Sequence, residues 1–262
     1  MLVMGILNAT PDSFADGGEH FTYPDAVDHG LKLIAEGADI IDVGGESTRP
    51  GAERVSAEEE LKRVIPVITE LVKDGAVVSV DTTRAEVAKA AIKAGATYVN
   101  DVSGGLADEK MAQLIATNPK VQYIVMHWRG ESKDMQSKAI YKDVVKEVKD
   151  ELDDRVSELI KAGVQAEQII LDPGIGFAKE AEHNWVILQN IERFQLLGYP
   201  ILVGASRKRF LGELINAKNA DDREAASIAL TAELARLSVW GVRTHSVKPH
   251  RDAIAVADRL RK

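Results

Sequence analysis

The stretch Ile169-Ile170-Leu171-Asp172-Pro173-Gly174-Ile175-Gly176-Phe177-Ala178-Lys179 decides the fold. Its apolar opening is too short for a helix and runs straight into turn residues, the pattern of a strand buried on both faces. The strand stops on a carboxylate, and Pro173 with two glycines turns the chain. An acid at the end of a buried strand is costly to desolvate, so a polar group is expected to meet it. A turn cap or a neighbouring cation would satisfy it locally; a ligand would do so as part of a function. The arrangement recurs outward in both directions. Apolar strands end in or near Asn8, Glu46, Asp81, Asn100, His127, Asp172, Ser206 and His245. Polar residues gathered from many strand ends define the top face of a barrel.

Strands are expected at Leu2–Leu7, Asp39–Val43, Ala76–Val80, Thr97–Val99, Val121–Met126, the apolar start of the stretch above, Pro200–Gly204 and Val242–Thr244. Helices are expected at Asp25–Glu36, from a Ser56/Glu59 capping box to Lys73, and at Arg84–Ala94, Glu109–Ala116, Tyr141–Ala162, His183–Phe194, Arg223–Val239 and His250–Leu260. Each strand–helix unit is about 30 residues, the size of a βαβ repeat. No linker or composition break separates them, so residues 1–262 read as one α/β domain, a single (β/α)8 TIM barrel. Two polar loops, Ala9–Tyr23 and Gly44–Ala52, stand out; the first is as long as structureless loops in compact domains get, and such loops are usually functional or disordered.

Composition narrows the function classes. The 262 residues are 45% hydrophobic, enough for one large core, and the formal charge is −8 with a sequence pI near 5.4. No basic arm appears, so no nucleic-acid partner is expected. No apolar run approaches the length of a membrane span, and the first strand begins too early for a signal peptide. Cysteine is absent, which excludes disulfides and thiolate metal sites and suits a cytoplasmic location.

Seven motifs in chain order, each at an expected strand end, carry a family resemblance. They are Gly5-Ile6-Leu7-Asn8-Ala9-Thr10-Pro11-Asp12-Ser13-Phe14, Gly44-Gly45-Glu46-Ser47-Thr48-Arg49-Pro50-Gly51, Ser79-Val80-Asp81-Thr82 and Asn100-Asp101-Val102-Ser103-Gly104-Gly105. Met126-His127-Trp128-Arg129-Gly130, the Leu171–Lys179 loop and Gly204-Ala205-Ser206-Arg207-Lys208-Arg209-Phe210 complete the set. Together they resemble the dihydropteroate synthases over nearly the whole chain. Ala178, Asn184-Trp185 and the Met-His-Trp-Arg run are similar to the actinobacterial branch.

The resemblance implies an alkyl transfer: a dihydropterin bearing a hydroxymethyl pyrophosphate is joined to p-aminobenzoate, giving dihydropteroate and pyrophosphate in folate synthesis. It implies pterin recognition by Asp172, Asn100, Asp81 and Lys208, with Phe177 against the ring or in the core. It implies pyrophosphate binding by Thr48, Arg243 and His245, the last two on one side of the final strand, with Arg49 carrying charge for the pyrophosphate or for the closed loop. Asn8 is the implied contact to a Mg²⁺ cofactor, a hard ion that binds through few protein groups. Phe14, Pro50 and Ser206 are implied around the benzoate, although Ser206 also suits a helix N-cap. Asp81, Lys208, Arg243 and His245 are the expected catalytic set; no nucleophile is needed, because the aniline is already one. Loops Ala9–Gly18 and Glu46–Gly51 are expected to close and exclude water. A homodimer and sulfonamide inhibition are further implications.

One departure bears on the site: Ser246 follows His245, where the family usually has Asp. Two alternatives stay open from sequence. A pterin-binding methyltransferase shares this barrel but needs no pyrophosphate cradle, and a paralogue would bind pterin without turnover.

Overall fold

The computed structural model describes residues 1–10, 23–46, 54–130 and 135–261. Its strands are β1 (Leu2–Asn8), β2 (Ile40–Gly44), β3 (Val78–Asp81), β4 (Tyr98–Asp101), β5 (Gln122–Met126), β6 (Ile169–Asp172), β7 (Leu202–Val203) and β8 (Gly241–Thr244). The helices are α1 (Tyr23–Ala35), α2 (Ala57–Lys73), α3 (Ala85–Ala94), α4 (Lys110–Ala116), α5 (Val144–Lys161), α6 (Ala181–Gln189), α7 (Ile191–Gln195), α8 (Arg209–Ile215), α9 (Glu224–Arg236) and α10 (Lys248–Leu260). All ladders are parallel, in the order β6-β5-β4-β3-β2-β1-β8-β7. One parallel bridge, Leu171↔Ile201, links β6 to β7 and closes the (β/α)8 barrel.

Strand alternation sorts the side chains into two sets. Outward-facing Val3, Ile41, Val43, Val78, Val80, Val99, Tyr123, Val125, Ile169, Leu171 and Val203 form the main core with the helices. Inside the barrel, Met4, Ile40, Ile124, Ile170 and Leu202 make a separate apolar floor. Two residues further along the same strands the inward positions turn polar: Ile40 leads to Asp42, Tyr98 to Asn100, Ile170 to Asp172 and Gly241 to Arg243. The barrel is apolar below and polar at its C-terminal mouth.

Two expected helices are corrected. The Tyr141–Ala162 helix begins at Val144 instead, because Asp143 is the N-cap and its carboxylate accepts from the Lys146 amide. His183–Phe194 is two helices meeting at Asn190, which leaves helical geometry (φ −117°, ψ 25°) while its amide donates to the Val186 carbonyl. The Ser56 cap is present, accepting from the Glu59 amide, but the Glu59 carboxylate turns to Arg63.

Candidate active site

Register assembles the mouth of the barrel. Asn8 pairs with Gly44, Gly44 with Asp81, and Asp81 with Asn100, so one row across β1–β4 carries three of the expected site residues around a glycine. Paired residues of parallel strands share a face, so all three side chains face the barrel interior. A Cβ at Gly44 would sit 3.7 Å from the Asp81 carboxylate; its absence leaves room beside that acid. On the opposite wall, Gly204 leaves a similar gap between Asp172, 3.6 Å from where its Cβ would stand, and Arg243.

An ion cluster fills the centre. Arg243 donates through Nε to Asp42 (2.6 Å) and through Nη2 to Asp81 (2.7 Å). The same Asp42 oxygen accepts from the Asn100 amide at 2.9 Å, while its other oxygen is buried without a partner. Burial pushes the Asp81 carboxyl above the usual carboxylate range, with Arg243 pulling it back. Asp42 was not among the expected site residues. Its signal is in the sequence: an acid within the apolar run Ile40-Ile41-Asp42-Val43 is as costly as one at a strand end.

The stretch that decides the fold forms the second half of the site. Asp172 Oδ1 accepts from the Gly174 amide at 2.7 Å. Burial raises its carboxyl, and Lys208 is the strongest opposing influence. Gly176, at φ +80°, lies so close to Lys208 that an added Cβ would stand 2.8 Å from its Cδ. The Lys208 ammonium donates to the Ile175 carbonyl and sits 4.5 Å above the centre of the Phe177 ring. Burial lowers the Lys208 amine to about 8, against the opposing pull of Asp172.

The structure separates several residues that sequence grouped together. Of the three cations in the Ser206-Arg207-Lys208-Arg209 run only Lys208 reaches the mouth: Arg207 pairs with Glu224 and Asp221, and Arg209 with Glu213. Glu46 leaves the ring of polar strand ends to pair with Arg54 and Arg84. His127 leaves it too, because Met126 is the inward neighbour of Asp172 and the next residue must face outward, toward Glu151 of α5. Asp101, beside Asn100, is a structural cap for the Ser103 and Gly105 amides and the Tyr123 hydroxyl. Leu234 and Val239, two of the apolar residues on the late helices, are core, and Leu230 and Leu237 pack against it. Phe14, Thr48, Arg49 and Pro50 lie outside the described residues, as does most of both polar loops.

Ser206 and His245 meet across β7 and β8, Ser206 Oγ to His245 Nδ1 at 3.0 Å. Ser206 is therefore not the N-cap of α8, a position held by Lys208. Behind this pair, Glu224 gathers Ser246 Oγ, His250 Nε2 and Arg207 Nε. Ser246 thus meets a carboxylate supplied from α9. Burial raises the Glu224 carboxyl, but hydrogen bonds from His250, Ser246 and Arg207 outweigh it and hold the group at about 2. A carboxylate depressed in the folded state stabilises fully above its unfolded value, near 4.5, and loses that contribution as pH falls toward 2. Glu224→Gln is expected to lower stability at pH 7 and to flatten the wild-type loss between pH 4.5 and 2, as read by urea midpoints.

Among the described residues no three His, Cys, Asp or Glu side chains form a metal-binding group. A magnesium site here fits only the type that takes one or two protein oxygens and completes its shell with phosphate and water. Asn8, partly exposed in the row beside Asp81, offers one such oxygen.

Comparison with known proteins gives consistent likenesses. The family model for pterin binding enzymes matches residues 4–245. A dihydropteroate synthase of Mycobacterium leprae is 48% identical over 260 residues, covering 97% of this chain and 91% of that protein. Two Xanthomonas albilineans dihydropteroate synthase structures superpose closely. The one with 4-aminobenzoic acid has a TM-score of 0.93 at 42% identity, covering 99% of this chain and 92% of that one. The one in complex with 7,8-dihydropteroate has a TM-score of 0.90 at 39% identity, covering 99% and 93%.

Proposed function

We propose the roles of the site residues from one premise: the chain belongs to the dihydropteroate synthase family of pterin-binding enzymes. It condenses 6-hydroxymethyl-7,8-dihydropterin pyrophosphate with p-aminobenzoate, releasing 7,8-dihydropteroate and pyrophosphate in folate synthesis. The observation that carries the residue assignments is the barrel mouth itself, where Asp172, Asn100, Asp81, Lys208 and Arg243 converge over an apolar floor.

The pterin edge offers an amino group and ring N–H donors beside a carbonyl. Asp172 accepts from those donors, and Asn100 supplies the mixed donor and acceptor. Lys208 turns from the Ile175 carbonyl to the pterin carbonyl and ring nitrogen, and Phe177 covers the ring face. Arg243, His245, Thr48 and Arg49 hold the pyrophosphate. Asn8 would help hold a magnesium ion, which would supply charge neutralisation to the leaving group.

When pyrophosphate leaves ahead of attack, the pterin methylene becomes cationic. Asp81, a fixed acid at the mouth, stabilises that charge electrostatically. The p-aminobenzoate amine then attacks that carbon, forming the C–N bond and losing one proton to the released pyrophosphate, with Ser206, Phe14 and Pro50 placing its ring. The two polar loops exclude water, which would otherwise quench the cation. Sulfonamides, as mimics of p-aminobenzoate, compete for the same place.

The same reading includes a cytoplasmic homodimer. An acidic, cysteine-free composition supports the location, and two-fold symmetry is the commonest assembly. Among the described residues no helix is long and apolar enough to cross a membrane.

The test is pyrophosphate release from the dihydropterin pyrophosphate with Mg²⁺, with and without p-aminobenzoate. Release that depends on p-aminobenzoate, with dihydropteroate appearing in step, is the expected result. Tight binding of both substrates without product would turn the assignment to a non-catalytic pterin-binding protein.

A further inference from the structure

Lys179 is 3% exposed, and its side chain is taken up by a histidine and by loop backbone, so it is assigned no contact with substrate above. Its Nζ meets three acceptors: His127 Nδ1 at 2.9 Å, the Gly174 carbonyl at 3.1 Å and the Phe177 carbonyl at 3.0 Å. An ammonium has three donors and no acceptor, so this shell gives each donor a partner, while burial lowers the amine to about 7 against the opposing pull of Asp172. His127 can accept at Nδ1 only as a neutral ring protonated at Nε2, and Nε2 lies 2.9 Å from the Glu151 carboxylate, a ready acceptor for that proton. Burial, with Lys179 adding to it, lowers His127 to about 4 and so keeps it in that form.

The two carbonyls belong to the loop that carries Asp172 and Phe177. That loop has little slack. Gly174 is at φ +69°, and a Cβ there would stand 2.5 Å from the His127 carbonyl. The His127 amide donates to the Asp172 carbonyl, and the Tyr141 hydroxyl donates to the Ala178 carbonyl. Arg129 stacks over Tyr141 and pairs with Glu151, which ties the same brace to α5. The charged groups facing Lys179 are Asp172 from β6, Lys208 after β7, Arg129 after β5 and Glu151 from α5.

We propose that Lys179 is a positioning residue for pterin binding: braced by His127 and Glu151, it clamps the Gly174 and Phe177 carbonyls and thereby fixes where Asp172 and Phe177 stand. The proposal rests on the reading of the Asp172 loop as the pterin contact. Lys179 acts through the backbone and touches no substrate, so its effect falls on one half of the site. Arg243, on β8, and His245, just after it, make no hydrogen bond to Lys179 or to the two clamped carbonyls and are left as they are.

Lys179→Met keeps length and removes all three donors. The probes are 6-hydroxymethyl-7,8-dihydropterin and inorganic pyrophosphate, titrated separately against the full chain. The pterin Kd of Lys179→Met is expected to rise about 10- to 100-fold, the loss associated with hydrogen bonds to a charged group. Pyrophosphate affinity is expected to stay within about twofold of wild type, because Lys179 makes no hydrogen bond to Arg243 or His245. His127→Gln should shift pterin affinity in the same direction by a smaller factor. A folded Lys179→Met protein with unchanged pterin Kd overturns the proposal, and so does equal loss of both ligands. If Lys179→Met does not fold, His127→Gln decides on the same split: selective pterin loss supports the clamp, and unchanged pterin affinity overturns it. Wild-type protein that binds no pterin would instead overturn the reading of the loop itself.

Discussion

An Asp172→Asn protein is expected to lose pterin affinity by a factor of about 10³ or more while keeping a melting temperature near wild type. The two side chains have the same shape, so packing at this nearly buried position does not change. The hydrogen-bonding capacity does. Asp172 already accepts from the Gly174 amide through one oxygen, and an amide carbonyl can still do that. The other oxygen must then become an NH₂ group, on the side facing Gly204 and Arg243. There it meets cations and the donors of the pterin edge, replacing an attraction with donor against donor. Lys208 also loses the anion that most strongly opposes the lowering of its amine by burial, which makes its charged form less available to the pterin carbonyl. Titration with the bare dihydropterin at neutral pH reads the effect directly. Near-normal affinity would remove Asp172 from the pterin site and leave it as a cap for its own turn.

The same residue shows why so much of this site was legible. In a parallel barrel each strand carries its inward residues up to one mouth, so a polar residue at a strand end is already nearly located. Asn8, Asp81, Asn100 and Asp172 are all of this kind, and the register puts the first three in one row. Strand ends alone do not say which face a residue takes. His127 and Asp172 both end apolar strands, yet alternation sends His127 outward to α5 and Asp172 inward. Nor do they reveal an acid one turn of the pleat deeper. Asp42 was read as part of a strand, and it is the residue that joins Arg243 to Asn100. Ser246 marks a third limit. Its hydroxyl finds a carboxylate on α9, 22 residues away in sequence, a pairing set by how α9 packs and by nothing local. The positions of Lys179 and Glu151 around His127 are of the same long-range kind.

Arg243→Ala is expected to lower stability substantially, and its effect on ligands should differ from that of a simple phosphate contact. A surface arginine that only met pyrophosphate would, when removed, weaken pyrophosphate and spare a bare pterin. Arg243 also neutralises Asp42 and Asp81 inside the barrel. Removing one partner of a buried ion pair typically costs about 3–5 kcal/mol, because the other charge stays behind uncompensated. For a chain of this size that corresponds to a fall in Tm of about 10 °C. The sign of its pH dependence follows from Asp81, already raised by burial with Arg243 pulling it down. Without Arg243 the folded-state value rises further above the unfolded one. A carboxyl shifted that way is least costly where it is protonated, so the deficit relative to wild type should grow as pH rises through about 7, where the wild-type group loses its proton, and shrink below it. Asn100 is held by the same Asp42 oxygen, so pterin affinity should fall together with pyrophosphate affinity. Arg243→Met combined with Asp42→Asn separates the two roles. It removes one buried charge of each sign, keeps an acceptor for Asn100, and should recover much of the lost stability and part of the pterin affinity. Pyrophosphate binding should stay weak, because no cation has been returned to that wall. If the double variant instead regains pyrophosphate affinity, Arg243 serves the fold alone, and the leaving group is held by His245 and the loop residues.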